Sequence, residues 1–266
     1  MLDDPQPLAD FYRSRRGRGA TRLIRRQMRQ IWPDVSRQTV VGIGFAAPFL
    51  PIWRGEAQRC VEAVTAYGNE RDVAGRPRCL VHEDELPFDE VSIDRILLSH
   101  ALEVAEQPAR LLRAVWRALR DDGRLMVMVP HRIGFWAHNE GTPFGDGAPL
   151  SARRLERTLQ RAMFRPEQKR GALFLPPLPA PLVRLGEALE PAGRVVLRSF
   201  PGVLLVEAVK DVYAALPAEA EPRRRMLSPL PAAVPLQAAI SPSGLERAAP
   251  EAGLGATAAP DRSPIR

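Results

Sequence analysis

Leu80–Pro130, LVHEDELPFDEVSIDRILLSHALEVAEQPARLLRAVWRALRDDGRLMVMVP, decides the fold of this 266-residue chain. Within it Asp94–Ser99, DRILLS, has a fully apolar middle, as a strand buried on both faces of a parallel sheet requires. Pro108 suits a first helical turn, where an amide has no partner in any case. Leu111, Leu112, Val115, Trp116 and Leu119 then recur at the spacing of one helical face. Asp121-Asp122-Gly123 is expected to end that helix, with Gly123 available for a left-handed cap. Arg124–Pro130 reads as the next strand, and Cys79-Leu80-Val81 as a short buried strand upstream. Four titratable residues, His82-Glu83-Asp84-Glu85, follow that upstream strand at its carboxyl end, where ligands bind in open parallel sheets.

Outward from this core the alternation continues. Thr39–Pro51, TVVGIGFAAPFLP, passes from a β-branched run into small residues, Gly42, Gly44, Ala46 and Ala47. Small side chains at a first strand-to-helix turn let backbone approach a nucleotide and leave amides free to bind it. Arg59–Tyr67 reads as a second strand and Asn69–Arg78 as a polar loop. Downstream, His131–Leu150 is a long loop that mixes His131 and His138 with Phe135, Trp136 and Phe144, and its aromatics argue against disorder. Ser151 is an N-cap for the helix that follows. Gln168–Leu175 and Pro201–Lys210 read as late strands, with a short helix over Pro181–Leu189 between them. Strands alternating with crossovers predict an α/β fold, a Rossmann-like seven-stranded mostly parallel sheet with helices on both faces.

The formal net charge is +7, and nearly all the positive charge is arginine, Lys169 and Lys210 being the only lysines. The densest basic stretch, residues 8–31, also carries Leu23, Ile24, Met28 and Ile31 at helical spacing. It reads as a helix that docks its apolar stripe and leaves its arginines solvated. An electrostatic patch for phosphate or acidic lipid is the other reading. Elsewhere the basic residues are scattered, which weighs against a nucleic-acid partner. Cys60 and Cys79 are too few for a disulfide framework and belong to no His/Cys cluster, so no metal site is expected. No apolar run approaches the roughly 20 residues of a membrane span. The acidic start, MLDDPQPLAD, lacks the apolar core of a secretory signal, and a cytoplasmic location is expected. Three regions follow from this: a basic helical segment over 1–34, the α/β domain over 35–213, and a proline- and alanine-rich tail over 214–266 expected to be disordered.

HEDELPFDEVSIDRILLSHALE, a helix and DDGRLMVMVP in succession resemble the class I S-adenosylmethionine-dependent methyltransferases, most closely their type 11 subgroup. The carrying residues are Leu86-Pro87-Phe88, Ile93-Asp94 and Asp121-Asp122-Gly123, with the Gly42–Gly44 turn at the expected distance upstream. The resemblance covers about residues 35 to 210. It implies S-adenosyl-L-methionine as cofactor, a terminal antiparallel strand pair, and in-line transfer of a methyl group to an acceptor atom. The cofactor-binding positions it implies are Gly42, Gly44, Ala46, His82, Glu83, Asp84, Ser99 and His100. His131, at the end of the fifth strand, is the candidate general base, needed only where the acceptor must lose a proton. The family's first motif usually has an acid and then three alternate glycines; here Gly42 stands for the acid, and Ala46 and Pro48 for the later glycines. The family's ribose-binding acid has no counterpart near Thr65. The expected function is methyl transfer to a small-molecule acceptor, with Phe135, Trp136 and Phe144 walling an apolar pocket. The departures motivate an alternative, a catalytically inactive binding or regulatory protein on the same fold. A third reading is a nucleic-acid methyltransferase docking through the Arg13–Arg29 helix.

Overall fold

The computed structural model describes residues 6–65, 78–83, 85–139, 142–145 and 150–211. The tail over 214–266 and Asp84 lie outside the described residues. Two helices open the chain, α1 (Gln6–Arg13) and α2 (Arg15–Ile31), followed by β1 (Thr39–Gly44), β2 (Arg59–Val64), β3 (Arg78–Leu80) and β4 (Ile93–Ser99). Next come α3 (Pro108–Ala118), β5 (Leu119–Pro130), α4 (Ala152–Arg161), β6 (Phe164–Ala172), α5 (Val183–Val196) and β7 (Val203–Lys210). The strands form one seven-stranded sheet in the order β3-β2-β1-β4-β5-β7-β6. β1 to β5 pair in parallel, and β7 runs antiparallel to both β5 and β6. This is the α/β architecture that the alternation predicts, and β6 and β7 form the terminal antiparallel pair that the resemblance implies.

Successive residues of a strand face opposite sides, and each side has its own core. Val40, Leu97, Met126, Met128 and Leu205 face α1, α2 and the turn after β1. Val41, Ile96, Leu98, Leu125 and Val127 face α3 and α4. In α2, Ile24, Met28 and Ile31 are buried and Leu23 packs beside them, while Arg15, Arg18, Arg22 and Arg26 stay exposed. Each such buried side chain contributes about 1.5–3 kcal/mol, so the stripe is docked as its periodicity predicts. Ser14 caps α2 by accepting from the Gly17 amide at 3.0 Å. A Cβ on Gly17 would lie 1.9 Å from the Phe11 carbonyl oxygen, so the corner between α1 and α2 admits only glycine. Among the described residues no helix is long and apolar enough to cross a membrane.

Several boundaries differ from the sequence reading. Asp121-Asp122-Gly123 forms no helix cap: α3 stops at Ala118 and β5 starts at Leu119, whose φ of −72° and ψ of 138° are already extended. The register jumps there, Ile93 pairing with Leu119 but Arg95 with Arg124, so the acidic turn is a bulge within a strand. β2 ends at Val64 rather than Tyr67, and β6 starts earlier, at Phe164. The helix expected over Pro181–Leu189 extends to Val196 and carries Pro191 in its interior.

Candidate functional site

Ligands of open parallel sheets sit beyond the carboxyl ends of the strands, where the strand order reverses. In this sheet that point lies between β1 and β4. β1 ends at Gly44, whose φ of +85° lies in the left-handed region. A Cβ there would stand 2.5 Å from the Ser99 carbonyl oxygen and 2.8 Å from the Ala101 Cβ. Phe45 and Ser99 then join the two strand ends twice. The Phe45 amide donates to the Ser99 carbonyl at 2.8 Å, and the Ser99 hydroxyl donates to the Phe45 carbonyl at 2.9 Å. Gly42 faces back into this turn, where its missing Cβ would be 2.4 Å from that of Ala46. The small residues of the first motif therefore pack on one another and on Leu50.

His100, the residue after β4, is buried and holds a φ of +49°. A non-glycine residue there costs about 1–2 kcal/mol, and three contacts retain it. The Tyr12 hydroxyl lies 2.6 Å from its Nε2, and Glu103 Oε1 lies 3.1 Å from its Nδ1. Beside a carboxylate Nδ1 carries the proton, which leaves Nε2 to accept from Tyr12. Tyr12 and Glu103 are buried as well, and Glu103 Oε2 makes no hydrogen bond. The third contact is aromatic. Tyr12 stacks on Phe45 at 5.5 Å and 23° and meets Phe49 and Phe144 edge-on, while His100 lies 5.5 Å from Phe144. Phe11 and Trp136 extend the ring cluster.

The other expected positions are dispersed around this point. Ala46 is fully buried in the turn, and its carbonyl accepts from the amides of Phe49 and Leu50. His82 is exposed. Glu83 is half-buried, accepts from the Glu106 amide at 3.2 Å, and has its pKa raised by burial. At the end of β2 the Thr65 hydroxyl is buried with no hydrogen-bond partner. His131 is buried on the β7 side of β5, its Nδ1 3.1 Å from the Pro201 carbonyl oxygen and its amide donating to Gly202. Burial lowers its pKa from the ordinary value. His138 Nδ1 lies 3.1 Å from the Gly134 carbonyl. Of the loop aromatics, Trp136 and Phe144 are buried in the ring cluster and Phe135 is exposed. The structure thus brings Gly44, Ser99 and His100 together with two residues that the sequence reading did not name, Tyr12 and Glu103. Glu103 has a local signal, since His-x-x-Glu spans one turn. Tyr12 has none, lying 88 residues from its partner.

These residues suit S-adenosylmethionine in chemistry and only partly in shape. The buried, unsatisfied Thr65 hydroxyl could pair with a hydroxyl of the cofactor, and aromatic faces attract a sulfonium as they attract other cations. In this conformation, however, the Tyr12 ring and the Phe45–Ser99 bridge take up the crevice between β1 and β4.

Residues 28–127 match the model of the type 11 methyltransferase family, described as a methyltransferase domain. No curated protein matches the chain. Among solved structures, an S-adenosylmethionine-dependent methyltransferase from Archaeoglobus fulgidus superposes with a TM-score of 0.52 at 14% identity, over 73% of this chain and 96% of that one. A Thermotoga maritima methyltransferase, described as a possible histamine N-methyltransferase, gives 0.51 at 17% identity, over 73% and 90%. At such identities these likenesses show the fold alone. With the strand order, they show that the sheet and its helices have the Rossmann-like α/β fold of these methyltransferases, and the match to the type 11 family covers residues 28–127 of it.

Proposed function

We propose that this chain is an S-adenosylmethionine-dependent methyltransferase of a small-molecule acceptor, and that Tyr12 closes its cofactor crevice until the cofactor enters. The observation that supports this most directly is the buried Tyr12–His100–Glu103 chain at the switch point, beside the left-handed Gly44. Once Tyr12 is displaced, the His100 Nε2 is free to take up a proton from an acceptor while Glu103 faces its Nδ1, a role that general-base catalysis assigns to such groups. His100 is better placed for it than His131, which faces Pro201 across β7. The cofactor would supply an electrophilic methyl group on sulfur. The chain's own contribution is to position the acceptor, exclude water with the ring cluster and hold the displaced proton on His100. Positioning alone supplies much of the rate of such a transfer. The basic α1–α2 segment, the α/β domain over 35–213 and the tail over 214–266 serve as the working division of the chain.

One observation favours a second reading. The Phe45–Ser99 hydrogen bonds and the stacked rings already satisfy the crevice, as they would in a protein that uses the fold without transferring methyl groups. Calorimetric titration with S-adenosylmethionine separates the two. If Tyr12 is a gate, the wild-type chain binds, Tyr12→Ala binds at least ten-fold more tightly, and Tyr12→Phe, which keeps the ring, gains far less. If neither the wild type nor Tyr12→Ala gives heat at millimolar ligand while both remain folded by circular dichroism, the methyltransferase reading is lost and the second stands.

A further inference from the structure

A cleft of about 520 Å³ lies between α1, α2 and the turn after β1, a volume ordinary for a small-molecule site. Its buried floor is apolar, formed by Ala9, Tyr12, Phe45 and Ala47. Its rim is basic, formed by the exposed Arg13, Arg18 and Arg22 and the half-buried Arg25. Among the described residues no carboxylate lines it. Two of the rim charges are shared with acids outside the lining, Arg13 with Asp10 and Arg22 with Glu187. The other two are not offset in this way. Arg25 donates its Nε to the neutral Pro48 carbonyl at 2.6 Å, which fixes the guanidinium at the cleft without cancelling its charge, and burial lowers its pKa. The Arg18 side chain makes no hydrogen bond or ion pair among the described residues, and with Arg22 it also borders a second cleft carrying Arg15 and Arg184.

We infer that this cleft binds a small amphipathic anion, an apolar body of a few carbons bearing a phosphate or other oxyanion head. The head would be gripped by Arg18 and Arg25, whose planar donor forks match oxyanions, and the body would cover the Tyr12–Phe45 floor. The cleft shares Tyr12 and Phe45 with the crevice between β1 and β4 and therefore borders it. A nucleic-acid duplex or a membrane surface would meet the arginines but leave the recessed floor uncovered. The inference concerns binding only and stands whether or not methyl transfer occurs.

The test is calorimetry on the full chain, without methyl donor, using octyl phosphate below its aggregation concentration, inorganic phosphate and octyl glucoside. Octyl phosphate is expected to bind at one site at least ten-fold more tightly than either of the others. Arg18→Ala, an exposed position whose loss leaves the core intact, should weaken it at least five-fold, and Arg153→Ala on α4 should leave it unchanged. Inorganic phosphate binding as tightly as octyl phosphate would overturn the amphipathic part of the proposal. An equal loss in the Arg153 variant would reduce the binding to diffuse charge. Anionic phospholipid vesicles or duplex DNA bound in an Arg18-dependent way, with no heat from octyl phosphate, would assign the arginines to a macromolecule and overturn it outright.

Discussion

The residues that matter most here are those held in conformations or environments they would not choose alone. Gly44 is one, with a φ of +85° and no room for a Cβ against the Ser99 carbonyl. Gly44→Ala should lower the stability of the chain by about 2 kcal/mol or more, since the left-handed penalty for alanine adds to the collision; the midpoint of a urea titration reads this directly. His131 is another. Its burial outweighs the hydrogen bond to Pro201 and depresses its folded pKa below the ordinary imidazole value of 6.5. The unfolded chain therefore binds the proton more readily, and stability rises with pH wherever the unfolded state holds more protons. This contribution is complete above pH 6.5 and is lost progressively as the pH falls through 6.5 toward the folded pKa. His131→Asn should flatten that part of a melting-temperature profile between pH 7 and 5. An unchanged slope would mean that another group titrates there.

At the scale of elements, the contact between α2 and the distal sheet turns on one buried acid. Glu207 on β7 accepts from Trp32 Nε1 at 2.9 Å and from Gln168 Nε2 at 2.7 Å, with Arg124 at 3.3 Å. It therefore ties the end of α2, β5, β6 and β7 to a single carboxylate. Glu207→Leu should cost about 1–3 kcal/mol, because it leaves the buried Trp32 indole N–H and the half-buried Gln168 amide without their acceptor while Arg124 keeps Glu167; a chemical denaturation curve against wild type measures the loss. Trp32→Phe, which removes one donor and leaves the carboxylate its other partners, should cost about 1 kcal/mol. The elements themselves were legible because their causes are local. DRILLS reads as a buried strand from its own apolar run, and Leu111, Leu112 and Val115 can share a face only on a helix. The DDG turn was misread for an equally local reason: acid-acid-glycine suits a helix cap as well as a bulge. Only pairing with β4, which skips from Leu119 to Arg124, selects the bulge.

At the scale of the whole molecule, the site is made by contacts that no local pattern encodes. Gly44, Ser99 and His100 could be placed because the sheet's topology carries their strand ends together. Tyr12 could not, since only the packing of α1 and α2 across one face brings its hydroxyl to His100. The same packing makes the crevice depend on the N-terminal helix. If the cofactor displaces Tyr12, α1 loses its stacking on Phe45 and its hydrogen bond to His100, while α2 keeps Ile24, Met28 and Ile31 in the core. Opening would thus be local to the first turns, as ligand-gating segments generally are. Hydrogen exchange followed by mass spectrometry, with and without millimolar S-adenosylmethionine, should therefore show amides of residues 8–14 exchanging several-fold faster in the bound chain. Those of β4 should slow, and those at the centre of α2 should stay as they were. Faster exchange throughout α2 would mean that the two helices move as one body. No change in residues 8–14 on a chain that binds the cofactor would mean that Tyr12 is a fixed wall of the site and not its gate.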